Sequence, residues 1–295
     1  MITSRSTFTF QNELLYFNEY FSTLLNFRKH QHTSRNFNYT FPHLSHSLQS
    51  NIHSIFNSLN LTLNIPSNKT RIDHGEYWYE LYPATSNDLN FFLPLLALEL
   101  SLYPKSFITK LQLKQIIICN SLIFHTQHNE MYKAAFPDCT PGTNAMIYCA
   151  KERDVNYIRV FIHHELFHYF DEVGKNVYKS KELWDMFNPK GYSYGMTGDF
   201  AGEGKYKELD QKYSYYFFTQ YSQSGIEEDK AEVFTWLINS GLSMQELGMK
   251  EGLIGKCVSI KIMLEEFDKE GFKQGKDDFW EKVMMFKRVI VDKYY

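Results

Sequence analysis

Between Phe161 and Val173 the chain reads FIHHELFHYFDEV, three histidines and three acids in thirteen residues of otherwise apolar, helix-spaced sequence. Imidazoles and carboxylates lose free energy when water is removed from them. A core-facing helix keeps them only if one of its faces is wet or if a partner offsets their desolvation. Any fold built on this segment must therefore expose the helix or set a polar site against it.

Inside the stretch, His164-Glu165-Leu166-Phe167-His168 spells HExxH. Residues four apart project from one helical face, so both imidazoles can reach a single Zn²⁺ at about 2.0–2.1 Å. Glu165, one step round, falls beside such a metal, placed to take a proton from a water that zinc acidifies toward a pKa of about 7. With 11 histidines in 295 residues, the pattern arises by chance roughly 3% of the time. Its setting adds weight, because it lies on an expected helix directly after an expected strand. The competing reading is a helix with two partly exposed histidines.

A catalytic zinc normally takes three protein ligands plus water, so a third must come from a later element. YSQSGIEEDKAEVFTWLI offers Glu228 and Glu232, four apart on one helical face, with Val233, Trp236 and Leu237 on the other. One carboxylate can bind metal while the other hydrogen-bonds a ligand imidazole and fixes its tautomer. Attraction of acids to a helix N-terminus accounts for Glu227, Glu228 and Asp229. It accounts less well for Glu232, a turn further in.

The rest of the chain frames these elements. Leu14, Phe17, Phe21 and Leu24, then Leu44, Leu48, Ile52, Ile55 and Leu59, mark two amphipathic helices before residue 70. The polar loop between them and its surroundings carry His30, His32, His43, His46 and His53, whose irregular spacing fits a solvated face better than a metal-sequestering tract. NDLNFFLPLLALELSLYP reads as a helix with Asn87 or Asp88 near its start and Pro94 as a kink or boundary. LKQIIICNSLIF reads as one buried strand, and CTPGTNAMIYCA as a turn and a short strand, Ala145–Cys149. Helices are expected at about 156–171, 180–187, 227–240, 251–270 and 277–292, with a Gly/Tyr/Lys-rich loop across 188–215. A net charge of -3 without a Lys/Arg run argues against nucleic acid. Cys119, Cys139, Cys149 and Cys257 lack CxxC spacing, which argues against a cysteine zinc site or a disulfide framework and favours a reducing compartment. No secretory signal or bilayer-spanning run is legible, so the expected location is the cytoplasm or outside by a non-classical route.

On these residues the chain resembles known families. HExxH, an acid three residues beyond it (Asp171), and a Tyr seven before the first Glu of ExxAE resemble the catalytic core of anthrax lethal factor-type zinc peptidases. The wider frame is similar to zinc-binding metallopeptidases found in bacterial genomes: YPKSFITKLQLKQIII, WDMFNPKGYSYG and an EDxAE helix, over about residues 87–265. The resemblance implies zinc on His164, His168 and Glu228, Glu165 as general base, and a transition-state hydrogen bond from Tyr221, with Tyr215 in reserve. It makes Glu232 the second acid of the pair. Asp171 is expected to orient a ligand or cap a loop, and His163, off the ligand face, to be an ordinary boundary histidine.

The resulting expectation is an α+β, zincin-like fold of the Glu-ligand type: a small mixed sheet with the HExxH helix, then a mainly helical C-terminal half. It divides the chain into a helical region, 1–74, and a catalytic domain, 75–295. The expected activity is zinc-dependent hydrolysis of a protein or peptide, the strand Ala145–Cys149 serving as the sheet edge that aligns an extended substrate. The alternative is a catalytically degenerate relative acting as a protein-binding module.

Overall fold

The computed structural model describes residues 46–174, 184–194, 213–240 and 251–272, together with Phe279 and Val283. Helix α1 (His46–Ser58) leads through β1 (Thr62–Asn64), β2 (Thr70–Asp73) and β3 (Tyr77–Tyr82) to α2 (Ser86–Ser101) and α3 (Lys105–Lys110). Five strands follow: β4 (Gln115–Cys119), β5 (Ser121–Thr126), β6 (Glu130–Lys133), β7 (Ala135–Asp138) and β8 (Ala145–Cys149). Then come α4 (Val155–Gly174), 3₁₀ turns at Asp185–Phe187 and Tyr221–Gln223, α5 (Ile226–Ser240), α6 (Glu251–Phe267) and the short α7 (Lys269–Phe272). The fold is α+β. No helix among the described residues is long and apolar enough to cross a membrane.

The strands form two four-stranded sheets, ordered β1-β4-β8-β7 and β2-β3-β5-β6. In the first, β1, β4 and β8 are parallel and β7 runs antiparallel to β8; the second is antiparallel throughout. Side chains alternate across a strand. In the first sheet Ile116, Ile118, Met146 and Tyr148 join the helical core, whereas Ile117, Cys119, Ala145, Ile147 and Cys149 pack with Tyr79, Leu81 and Leu122 of the second sheet. With both faces covered, β4 and β8 read as unbroken apolar runs.

Several expectations change here. LKQIIICNSLIF is two strands rather than one: Asn120 bonds Tyr82 O and Asp88, and the chain crosses there from the first sheet to the second. Pro94 lies inside α2 without ending it, since the helix is secured at its start by a capping box between Thr85 and Asp88. The strand Ala145–Cys149 forms as expected, but β4 and β7 flank it, so it is not the sheet edge. The outer position belongs to β7. Residue 74 falls in the β2–β3 turn, and α1 and β1 share the main core through Leu48, Ile52, Phe56, Leu59 and Leu63. The expected division at 74/75 thus runs through a hairpin of one packed body. The first expected helix (Leu14–Leu24), the histidines at 30, 32 and 43, residues 180–183 of the expected helix 180–187, residues 195–212 of the expected loop and most of 277–292 lie outside the described residues.

Candidate metal centre

Helix α4 is held by its rear. Arg159 and His163, four apart, face α2 and its exit, where Glu99 and Tyr103 are fully buried. Arg159 Nε donates to Glu99 Oε1 at 2.7 Å, and His163 Nε2 meets Glu99 Oε2 at 2.9 Å. Tyr103 Oη lies 2.7 Å from His163 Nδ1. The donors and acceptors close if His163 is neutral, giving its Nε2 proton to Glu99 and accepting from Tyr103 at Nδ1. Burial lowers the pKa of His163 despite Glu99 beside it, consistent with that form. His163 is therefore no boundary histidine; it helps fix how far α4 is rotated. Phe161, Leu166, Phe167 and Phe170 complete the apolar packing.

That rotation turns His164 and His168 toward α5. His164 Nε2 and His168 Nε2 stand 3.0 Å apart, and Glu228 Oε2 lies 3.0 Å from the first and 3.2 Å from the second. These three residues could hold a metal ion, and no other such group converges among the described residues. Glu232 takes the second place: its Oε1 is 3.1 Å from His164 Nδ1, while Thr219 Oγ1 donates to its Oε2 at 2.7 Å. An Nδ1 proton given to Glu232 leaves the Nε2 lone pair of His164 facing the cluster.

The donor set fits a cation. Ligands held tetrahedrally at about 2.0–2.1 Å from zinc stand roughly 3.3 Å from one another, close to the observed triangle. Three lone-pair atoms at such distances repel unless positive charge lies among them. Burial disfavours charge on His164, yet Glu228, Glu232 and Glu165 outweigh it and push that imidazole up to about 10. Burial likewise works against ionised Glu228, but its bonds to the two histidines keep it well below the carboxylate range.

The other expected residues sit around this triangle. Glu165 is partly buried, and its charge reaches Tyr148 on β8 and Tyr157 at the start of α4. Tyr221 opens a 3₁₀ turn just ahead of α5, its ring centroid 5.6 Å from that of His164. Tyr215, the reserve, is exposed. Asp171 receives Lys230 Nζ at 3.2 Å, a bond between α4 and α5.

Sequence reasoning missed what surrounds Asp229. Directly after Glu228, it is fully buried and accepts from Trp184 Nε1 at 2.8 Å and Tyr194 Oη at 2.6 Å, while Lys256 Nζ lies 2.6 Å away. Asn188 donates to Tyr194 Oη at 2.9 Å. Residues Trp184, Asn188 and Tyr194 of WDMFNPKGYSYG thus gather on the neighbour of Glu228 and tie the first turn of α5 to that loop and to α6. Gly255 makes this possible, since a Cβ there would stand 2.1 Å from the Phe187 ring. Glu99 left a fainter trace, one acid in the apolar run LPLLALELSLYP.

Comparison with family models, curated proteins and solved structures finds no match to this chain.

Proposed function

We propose that this chain is a zinc-dependent endopeptidase with a zincin-like catalytic body. The reading is carried by one observation: His164, His168 and Glu228 converge within 3.0–3.2 Å, with Glu165 between the two histidines on the same helix. A helix that presented two histidines to solvent would not gather two partly buried acids around them, one for each ring nitrogen of His164.

In this reading His164, His168 and Glu228 hold the metal, which supplies Lewis acidity to a water and to the scissile carbonyl. Glu165 takes the proton from the attacking water and returns it to the leaving amine. Tyr221 donates to the oxygen that gains charge as the tetrahedral centre forms. Glu232 holds the tautomer and orientation of His164, itself held by Thr219. Strand β7, outermost in the sheet and packed along α4, takes the aligning role first expected of β8.

The test is hydrolysis of a mixed peptide pool by the zinc-loaded protein, compared with Glu165→Gln. Cleavage by the first and none by the second, at equal zinc content, is the expected result. Equal cleavage by both would remove Glu165 from the chemistry. No cleavage by the wild type, with zinc bound, would favour the binding-module alternative.

A further inference from the structure

Thr219 sits where two parts of the site meet. It precedes the 3₁₀ turn Tyr221–Gln223, and its hydroxyl bonds Glu232 on α5, 13 positions later. Toward the turn it closes a reciprocal box with Ser222. Thr219 Oγ1 accepts from Ser222 N at 3.1 Å, and Ser222 Oγ accepts from Thr219 N at 3.1 Å. The same exchange of side-chain and backbone bonds starts many helices. Here it fixes a single turn, and with it Tyr221, the residue immediately before Ser222.

The protons of this network have one consistent arrangement. An ionised carboxylate only accepts, and a hydroxyl has one hydrogen to give. Thr219 therefore gives its hydrogen to Glu232 Oε2, at 2.7 Å. The two hydroxyl oxygens lie 3.0 Å apart, so Ser222 donates to Thr219. Glu232 Oε1 takes the Nδ1 proton of His164 at 3.1 Å. A directed chain thus runs from fully buried Ser222 through Thr219 and Glu232 to His164, leaving the Nε2 lone pair toward His168 and Glu228. Bonds linked in this way polarise one another. Thr219 itself is exposed, whereas the Glu232 side chain is only 11% exposed, so the hydroxyl reaches that carboxylate from the rim of the site.

We infer that Thr219 is a positioning residue that ties Tyr221 and His164 to one oxygen atom. On one side Thr219 Oγ1 steadies Glu232, and through it the tautomer and tilt of His164. On the other it holds the turn that sets the Tyr221 ring 5.6 Å from the imidazole. Displacing the hydroxyl disturbs both at once, which neither Glu232 nor Ser222 alone would do. The inference rests on the metal reading for its effect on His164, and on the peptidase reading only for its effect through Tyr221.

The experiment uses the full chain and reads zinc affinity by chelator competition for Thr219→Val and Thr219→Ser, each alone and combined with Glu232→Ala. Valine keeps the shape and removes the hydroxyl. Losing a direct partner of a ligand costs about 10–100-fold, and Thr219 stands one bond further out, so Thr219→Val should weaken zinc binding about 3- to 10-fold. Thr219→Ser should restore it. Beside Glu232→Ala, Thr219→Val should change affinity by no more than about 2-fold, since the two residues act through one bond. An equal loss in both backgrounds, or no loss in the first, overturns the inference. Turnover at saturating zinc is followed in parallel. Thr219→Val should lower kcat with KM held, and should lower it no further once Tyr221→Phe is present; a full loss beside Tyr221→Phe overturns the hold on Tyr221. If Thr219→Val does not melt cooperatively, Thr219→Ala replaces it in every comparison. Zinc coupling between Thr219 and Glu232 without cleavage by the wild type upholds the hold on His164 and removes the peptidase reading. A wild type that binds no zinc overturns both.

Discussion

At the residue scale, Glu228 and Glu232 look alike in sequence and differ in what they touch. Glu228 Oε2 faces both Nε2 atoms, whereas Glu232 reaches only the far nitrogen of His164. Glu228→Ala leaves a metal two protein ligands and should lose most of it, as should His164→Ala and His168→Ala. Glu232→Ala should weaken affinity by only about 10–100-fold. Metal analysis with a competing chelator orders the four variants, and a reversed order for the two acids would exchange their roles. Tyr221 calls for a kinetic test. Tyr221→Phe removes one oxygen and keeps the ring beside His164, so zinc content and melting temperature should hold while turnover falls roughly 100- to 1,000-fold. Unchanged turnover in that variant would leave Tyr221 a packing residue.

At the element scale, α4 is a helix with two polar faces, and the buried one sets the direction of the other. Glu99→Ala would remove the buried carboxylate that both Arg159 and His163 bond, a loss of about 3–5 kcal/mol by urea unfolding. A change below 1 kcal/mol would mean the network contributes little to holding the helix. Asp88 provides a pH test at the start of α2. Burial opposes its ionisation, but bonds from Thr85, Arg153 and Asn120 outweigh it and lower its pKa. A lowered folded value gives stability that is complete above the unfolded value of about 3.9 and is lost as pH falls through the folded one. The stability gap between wild type and Asp88→Asn should therefore be full near neutral pH and close under acid; a gap independent of pH would refute the assignment. The ligand face was legible because i,i+4 spacing is local: HExxH and ExxAE each carry their own geometry. The anchoring face was not, because a helical repeat says where His163 points but not that Glu99, 64 positions earlier, waits there. Strand order escaped for the same reason. Five buried residues mark β8 as covered on both faces, but whether a third strand lies beyond it depends on Ala135–Asp138, a segment whose proline and aspartate speak against a strand.

At the scale of the whole molecule, the change of texture near residue 75 looked like a domain border because polar, histidine-rich sequence gives way there to apolar runs. Composition registers exposure along the chain, however, and not which buried stripe joins which core. Helix α1 sends Leu48, Ile52, Ile55 and Phe56 into the core shared by α2 and α4, and β1 extends the first sheet beside β4. Burying each large apolar side chain is worth about 1.5–3 kcal/mol, so these four alone contribute roughly as much as the 5–15 kcal/mol by which a domain is stable. Removal would also strip β4 of its neighbour along Gln115–Ile117 and uncover the α2 surface beneath α1. A chain beginning at residue 75 should therefore lose cooperative thermal unfolding and near-ultraviolet dichroism. Its zinc affinity should fall as well, because His164 and Glu228 are brought together by helices that this core aligns. The comparison is with the full chain, followed by both dichroism and chelator competition. A truncated chain that melts cooperatively near the full-length temperature and binds zinc equally well would restore the border at 74/75, and α1 would then be an appendage of the body that carries the His164-His168-Glu228 cluster.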